Sequence, residues 1–463
     1  MPDNGASLAP RAGFRRELTG WAVLAVGALG IAGVFAFLLA LSRVPGIEAV
    51  FPWPVGFFHK GLVIHVVFSF VVWFLAVFGA LTLIVRERLA PGRLPVDSLG
   101  KAALAGGFAA LPLLFVPALL DRGEPTLNNY VPVIIDPLYY CGLAVLALAV
   151  GCTAVRLLLV VRLRLLRRDP PCAAVASAAL VYLIALACFA VALSTLAGSA
   201  FSFDFNERLM WGGGHALQFV NALMLVAAWA ALSAPYVRSV PTTATSAANT
   251  LLVLAAAVLP VFYLALPMFS HEQTAAFTWM QYAFGPAAAI MAAGVLNRLA
   301  RPWPWREPAF LALALSLLLF GIGGGLGLFV DGTDTRTPAH YHGVIAGITL
   351  AFFGLFYARI LPLLGRPRVS ALRMRLILHL FAWGQLAASI GLFIAGGHGA
   401  PRKVAGDAQG LSDTAQIAGM ALNGLGGLIA IIGGILFVWT MAAVFLRASS
   451  MTNHTALPAE IRL

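Results

Sequence analysis

The chain has 463 residues, of which 61% are hydrophobic and only 10% charged. A soluble domain carries roughly a quarter charged residues, so this composition argues against a water-soluble protein with one large core. The net charge of +12 is not accompanied by an aromatic-rich basic patch, which argues against nucleic-acid binding.

Twelve apolar runs follow one another along the chain, and each is long enough to cross a bilayer, which takes ~20 apolar residues. They predict an all-α, polytopic membrane bundle with a tail at 1–18, a single domain at 19–446 and a second tail at 447–463. The predicted runs are 19–43, 60–85, 99–120, 131–155, 173–197, 209–234, 248–270, 276–297, 308–330, 338–362, 376–397 and 415–446.

The distribution of basic residues predicts the orientation of the bundle. With a cytoplasmic N-terminus, 23 of the 30 Lys and Arg residues lie in the cytoplasmic segments or at the span ends next to them. This bias follows the positive-inside rule and predicts a bacterial inner-membrane protein with both termini in the cytoplasm. The first apolar run lacks a clear cleavage site, so we interpret it as an uncleaved helix.

Five of the nine histidines fall in the outer part of the predicted membrane region, although they are far apart in sequence. They are His65 in helix 2, His215 in helix 6, His271 at the end of helix 7, and His340 and His342 in helix 10. Ionisable side chains within a membrane are costly and are usually functional. A single histidine could be a hydrogen-bonded helix contact, but five at one depth favour a cofactor site. Imidazole is a good ligand for heme iron and for copper.

The segment His340-Tyr341-His342 gives the most specific indication. Each helical residue turns the helix by ~100°, so positions i and i+2 point about 200° apart. These two imidazoles cannot comfortably bind one metal, but they can serve two cofactors on opposite sides of the helix. Two hemes that share one helix are the simplest use of this geometry.

His215 follows three consecutive glycines at 212–214, which cost helix stability and suggest that something needs the space. His271 could face His215 and, with it, bind copper or another metal. A third ligand could be Glu272, Tyr263, water or nothing. Near the other end of the chain, Arg402 and Lys403 could bind heme propionates or form a plain interfacial charge pair.

The chain resembles the catalytic subunit I of the heme-copper oxygen reductases and their nitric oxide reductase relatives. The resemblance rests on the glycine-rich segment from Gly323 to Gly327, on Asp331 and Asp334, on the H-x-H motif after Ala339, and on Pro401-Arg402-Lys403. It implies that His65 and His342 bind a low-spin heme, that His340 binds a high-spin heme, and that His215 and His271 bind copper or non-heme iron.

The chain also departs from that family. The family usually has two adjacent histidines after helix 7, whereas here His271 is followed by Glu272. Phe219 stands where the family often has Tyr or Glu, and Tyr263 could take a helix 7 tyrosine role. The usual cytoplasmic proton channels are not visible, so Glu207 and Asp204 could instead lead protons in from the outside.

Three functions follow as hypotheses. In the first, electrons from a donor subunit or from cytochrome c pass through the low-spin heme to a high-spin heme and metal, where O₂ or NO is reduced. In the second, a divergent heme protein senses NO or redox state, or assists assembly, without reducing gas. The third is a secondary transporter, although the chain shows no convincing internal repeat.

Overall fold

The computed structural model describes residues 12–42, 55–91, 97–162, 169–330, 332–367, 369–404 and 406–447. Asp331, His454 and most of the two predicted tails lie outside the described residues. Within the described ranges, twelve helices are long and apolar enough to cross a membrane, as the sequence predicts. We number them α1 to α12: Ala12–Ser42, Phe57–Leu89, Asp97–Leu119, Pro137–Leu158, Pro170–Thr195, Phe203–Ser233, Thr242–Ala265, His271–Leu296, Pro308–Phe329, Arg336–Leu363, Ala371–Gly397 and Thr414–Leu446.

Several of these spans are not continuous α-helices. α2 starts within the helix Val55–Val66, which is followed by a π-helical segment at Val67–Val72 and by an α-helix at Trp73–Leu89. A second π-helical segment at Phe356–Ile360 lies near the end of α10. Short π segments in helices occur frequently at functional sites, and both of these lie in spans that carry candidate heme ligands.

Two pairs of spans approach each other through glycine. A Cβ on Gly323 of α9 would lie 2.5 Å from the backbone nitrogen of Val344 in α10, and a Cβ on Gly384 of α11 would lie 2.4 Å from that of Ala430 in α12. Small residues let membrane helices pack backbone to backbone where no hydrophobic effect drives association. The first contact fixes α10 against α9, and the second fixes α12 against α11.

A two-stranded antiparallel hairpin connects α3 to α4. Its strands are β1 (Glu124–Thr126) and β2 (Val133–Ile135), and Thr126 pairs with Val133. The loop between them contacts the start of α6 and the segment between α11 and α12, because Asn129 bonds Glu207 and Lys403 bonds the Leu127 carbonyl. These segments therefore share one end of the bundle, which we call the histidine end because Tyr130 of the same loop contacts His215.

The predicted position of His271 is wrong by one element. It is not at the end of helix 7 but begins the helix His271–Met280 in α8. The residue before it, Ser270, caps this helix by accepting a hydrogen bond from the Gln273 backbone N–H at 3.1 Å. The preceding helix ends at Ala265, because Leu266 is extended and Pro267 follows it. The Ser270 cap then starts a new helix, so His271 belongs to the next span.

Candidate functional site

The two histidines of α10 are held by different neighbouring spans. His340 Nδ1 lies 2.8 Å from the Gly323 carbonyl of α9, and His342 Nδ1 lies 3.2 Å from Gln385 Oε1 of α11. Each acceptor engages Nδ1, so Nε2 is the nitrogen that would face a metal. The two rings are therefore anchored on two different neighbours of α10.

His65 in α2 is anchored in the same way. Its Nδ1 lies 3.0 Å from the backbone carbonyl of Ala32 in α1. His65, His340 and His342 are only half-buried, although they lie within a bundle whose neighbouring residues are largely buried. Hydrogen-bonded Nδ1 atoms and accessible rings are what axial ligands of heme iron require. These three residues fit that group.

Glycines near the end of α9 have different surroundings. A Cβ on Gly327 would lie 2.6 Å from His340 Nδ1, so the ring packs directly against this glycine. At Gly321, Gly324 and Gly325, a Cβ would meet nothing within 4 Å. Of the glycines in the predicted segment, Gly323 serves helix packing, Gly327 receives the imidazole, and Gly324 and Gly325 border open space, as does Gly321 just before them.

His215 in α6 has a different environment, because it is fully buried and both of its ring nitrogens have partners. Nδ1 lies 2.7 Å from the Trp211 carbonyl, and Nε2 lies 2.8 Å from the hydroxyl of Tyr130, which comes from the hairpin loop. The side-chain amide of Gln281 in α8 donates to the same hydroxyl at 3.3 Å. Burial raises the pKa of Tyr130, so the phenol keeps its proton.

The three glycines before His215 make room for aromatic side chains. A Cβ would lie 2.1 Å from the Tyr263 hydroxyl at Gly212, 2.4 Å from the Phe189 ring at Gly213, and 2.5 Å from Tyr130 Cβ at Gly214. The sequence correctly indicates that something needs this space. In the structure, three side chains from other segments fill it.

Within the part of the chain that the structure describes, His271 and Glu272 do not form a metal-binding group with His215, whereas Tyr263 lies nearby, with its hydroxyl against Gly212. His271 and Glu272 are exposed at the start of α8, and Tyr263 packs against Phe277 with ring centroids 5.4 Å apart. In the described ranges, no group of three or more His, Cys, Asp or Glu side chains is arranged to hold a metal ion. The residues present therefore do not fit the predicted copper or non-heme iron.

Arg402 and Lys403 lie above the bundle and contact the hairpin loop. Arg402 Nη2 is 3.5 Å from Asn129 Oδ1, and the Lys403 ammonium donates to the Leu127 carbonyl. Burial, followed by the neighbouring Arg402 charge, lowers the pKa of Lys403 to about 8. A cation in this state would gain from an additional anion, so the pair fits the predicted propionate contact.

The two predicted proton-entry residues lie in different surroundings. Glu207 accepts from the Asn129 backbone N–H at 2.7 Å and from its side-chain amide at 2.5 Å. Asp204 is exposed and forms an ion pair with Arg208 at 2.9 Å, one helical turn away. Glu207 thus holds the hairpin loop in place, whereas Asp204 belongs to the surface of α6.

Comparison with known proteins places this architecture in a family. The family model described as cytochrome c and quinol oxidase polypeptide I matches residues 18–436. The chain belongs to this family. A solved structure described as a heme-copper terminal oxidase dimer shares the fold, with a TM-score of 0.71 and 15% sequence identity over 94% of this chain and 84% of that one.

The chain is also similar to several distant relatives. An uncharacterized protein of Aquifex aeolicus is 28% identical over 73% of this chain and 83% of its own length, and one of Rickettsia prowazekii is 24% identical over 90% and 94%. The cytochrome c oxidase subunit 1 of Thermus thermophilus is 32% identical over 32% of this chain and 28% of its own. These matches support an oxidase-like membrane protein and give no support to the transporter hypothesis.

Three residues of the site have no counterpart in the sequence prediction: Tyr130, Asn129 and Gln281. Tyr130 and Asn129 belong to the polar stretch Leu127-Asn128-Asn129-Tyr130 between two apolar runs. Such a stretch is an ordinary loop signal. The contact with His215 spans 85 residues, and nothing local in the sequence indicates it.

Proposed function

We propose that this member of the oxidase polypeptide I family is a heme-carrying oxidoreductase of the bacterial cytoplasmic membrane, with both termini in the cytoplasm. His65 and His342 would hold a low-spin heme, and His340 would hold a second, high-spin heme. An electron-donor subunit or cytochrome c would supply electrons, and O₂ or NO would be the substrate. Bound hemes would supply electron relay and an iron that binds the gas.

The observation that carries this proposal is the divergent anchoring of one helical H-x-H motif. His340 is tied to the Gly323 carbonyl on one side of α10, and His342 is tied to Gln385 on the other. Each anchor orients its ring and makes the imidazole a stronger ligand. Because the two rings are only two residues apart, α10 would bring the two cofactors close together.

The chain would also orient the hemes at the histidine end. Arg402 and Lys403 carry positive charge there and would bind propionates. Both residues are fixed by the hairpin loop, through Asn129 and the Leu127 carbonyl. A charged pair that is already held in position loses little side-chain freedom when it binds an anion.

Heme spectra of histidine variants test the proposal. The reduced-minus-oxidised spectrum of the purified protein should show two hemes, and CO should bind to one of them. His342→Leu should remove the low-spin signal and keep CO binding, whereas His340→Leu should abolish CO binding. His379→Leu is the matched control, because His379 is an exposed α11 residue paired with Trp383 at 3.0 Å. A protein without Soret absorbance would refute the proposal.

A heme protein without gas reduction is the second candidate. It is favoured by the Tyr130–His215 hydrogen bond, because this bond occupies the nitrogen that a second metal would need. Gas-electrode measurements distinguish the two candidates. A protein that has both hemes and receives reductant, but consumes neither O₂ nor NO, would fit only the second.

A further inference from the structure

The hydrogen bonds around His215 leave no lone pair for a metal. A backbone carbonyl can only accept, so the 2.7 Å contact with Trp211 places a proton on Nδ1. In the neutral ring, Nε2 is then the acceptor. The Tyr130 hydroxyl donates to Nε2 at 2.8 Å, and Gln281 donates to the hydroxyl oxygen. One directional chain therefore runs from Gln281 through Tyr130 and His215 to Trp211.

Aromatic side chains surround His215 on several sides. Its ring centroid lies 4.3 Å from that of Tyr130, 5.0 Å from that of Trp211 and 5.7 Å from that of Phe277. This packing leaves little room for a metal with its usual set of three or four ligands. The hydrogen bonds and the packing at His215 therefore both argue against a bound metal.

Tyr130 is held in this place by the hairpin loop. Its backbone has φ of 66°, which is uncommon for a residue other than glycine. On one side, Asn128 donates to the Val131 carbonyl at 2.6 Å, and on the other, Glu207 accepts two hydrogen bonds from Asn129. An unusual backbone conformation persists only when the surrounding structure holds it.

A small cavity adjoins this arrangement. It has a volume of about 10 Å³, which is room for about one water. Tyr130 and Gly214 line it together with two polar side chains of α6, Gln218 and Asn221, and with apolar residues of α2. The Tyr130 side of the site thus adjoins polar groups.

We propose that Tyr130 takes the place of a second metal in this chain. It is a positioning residue: its hydroxyl occupies the coordination position of His215, and the Gln281–Tyr130–His215 chain forms a metal-free hydrogen-bonding site. Glu207 positions Tyr130 through Asn129. The inference rests on contacts of the protein alone, so it does not depend on the proposed hemes.

Metal analysis of the holoprotein tests this inference. Protein from cells grown with excess copper and iron should contain heme iron but no stoichiometric copper or non-heme iron, and His215→Gln should not change its metal content. One copper or non-heme iron per chain in the wild-type protein, lost in His215→Gln, would overturn the proposal. Heme is counted in the same samples, so a failure of the proposed function is seen separately.

Infrared spectra give a second readout, and its deciding outcomes are measured on the wild-type protein. Wild-type protein with ¹³C-labelled tyrosine should show the C–O stretch of a phenol that donates to imidazole. This band should disappear in Tyr130→Phe, persist in Tyr263→Phe, and remain unchanged when Cu⁺ is added. A wild-type protein without this band, or a band that Cu⁺ abolishes, would overturn the proposal.

Discussion

Replacing Gly214 by alanine should displace Tyr130 from His215. The new Cβ would lie 2.5 Å from Tyr130 Cβ and 2.7 Å from its Cγ. Carbon atoms in ordinary contact are ~3.5–4.0 Å apart, so the tyrosine must retreat by about 1 Å. The present hydroxyl-to-Nε2 distance of 2.8 Å would then exceed the range of a hydrogen bond.

The expected cost combines two effects. Overpacking of this kind costs about 1–3 kcal/mol, and a buried ring nitrogen that has lost its partner costs about 1–3 kcal/mol more. Alanine is better than glycine within a helix by about 1 kcal/mol, which offsets part of the cost. The net loss of stability should be about 1–5 kcal/mol.

Thermal unfolding in detergent measures this loss, with Gly285→Ala as the matched control. Gly285 lies in α8, and a Cβ there would meet nothing within 4 Å. We expect a clearly lower midpoint for Gly214→Ala and an unchanged or slightly higher one for the control. If Gly214→Ala unfolds like the control and keeps the tyrosine infrared band, the reasoning about Tyr130 is incorrect.

Three further predictions concern the remaining parts of the site. In Gly327→Ala, the new Cβ would lie 2.6 Å from His340 Nδ1 and should push the ring aside. CO binding should then be lost while the low-spin spectrum stays. Retained CO binding would contradict this. Glu207→Ala should lower the midpoint of thermal unfolding because two hydrogen bonds to the hairpin loop are lost. Asp204→Ala should leave the midpoint nearly unchanged. Equal effects of the two substitutions would argue against an anchoring role of Glu207. In heme-free protein, burial lowers the pKa of Lys403 from 10.5 to about 8, so the unfolded chain binds the proton more tightly and stability should rise with pH between these values. Lys403→Met should flatten this rise, and a rise of the same size in the variant would assign it to other groups.

The features that sequence reasoning predicted are local ones. The twelve spans follow from runs of about twenty apolar residues. The free energy of exposing such a run to water does not depend on which helices pack beside it. The opposite directions of His340 and His342 follow from the rotation per residue of an α-helix. Their anchors on α9 and α11 agree with this geometry.

The features that it missed depend on contacts between distant segments or on short boundary signals. Helical periodicity says nothing about which loop inserts a tyrosine next to His215. The glycines at 212–214 indicate a close approach, but not that Tyr263, Phe189 and Tyr130 are the side chains that approach. The start of α8 is predictable from the sequence, because Ser270 and, three residues later, Gln273 match a helix-capping pattern. This short pattern stands between apolar residues, which indicate a span boundary only to within a few residues.

The π-helical segment Val67–Val72 determines how α2 would respond to the deletion of a residue. Its wider turn accommodates one additional residue, and one residue corresponds to about 100° of rotation in an α-helix. His65 lies just before this segment, while the long buried helix Trp73–Leu89 follows it. Deleting a single residue here would leave a helix that still crosses the bilayer, but it would turn His65 away from Ala32. The direction of the His65 ring relative to the rest of its helix thus depends on the one additional residue of this segment, and a deletion here would separate His65 from Ala32 while both side chains remain.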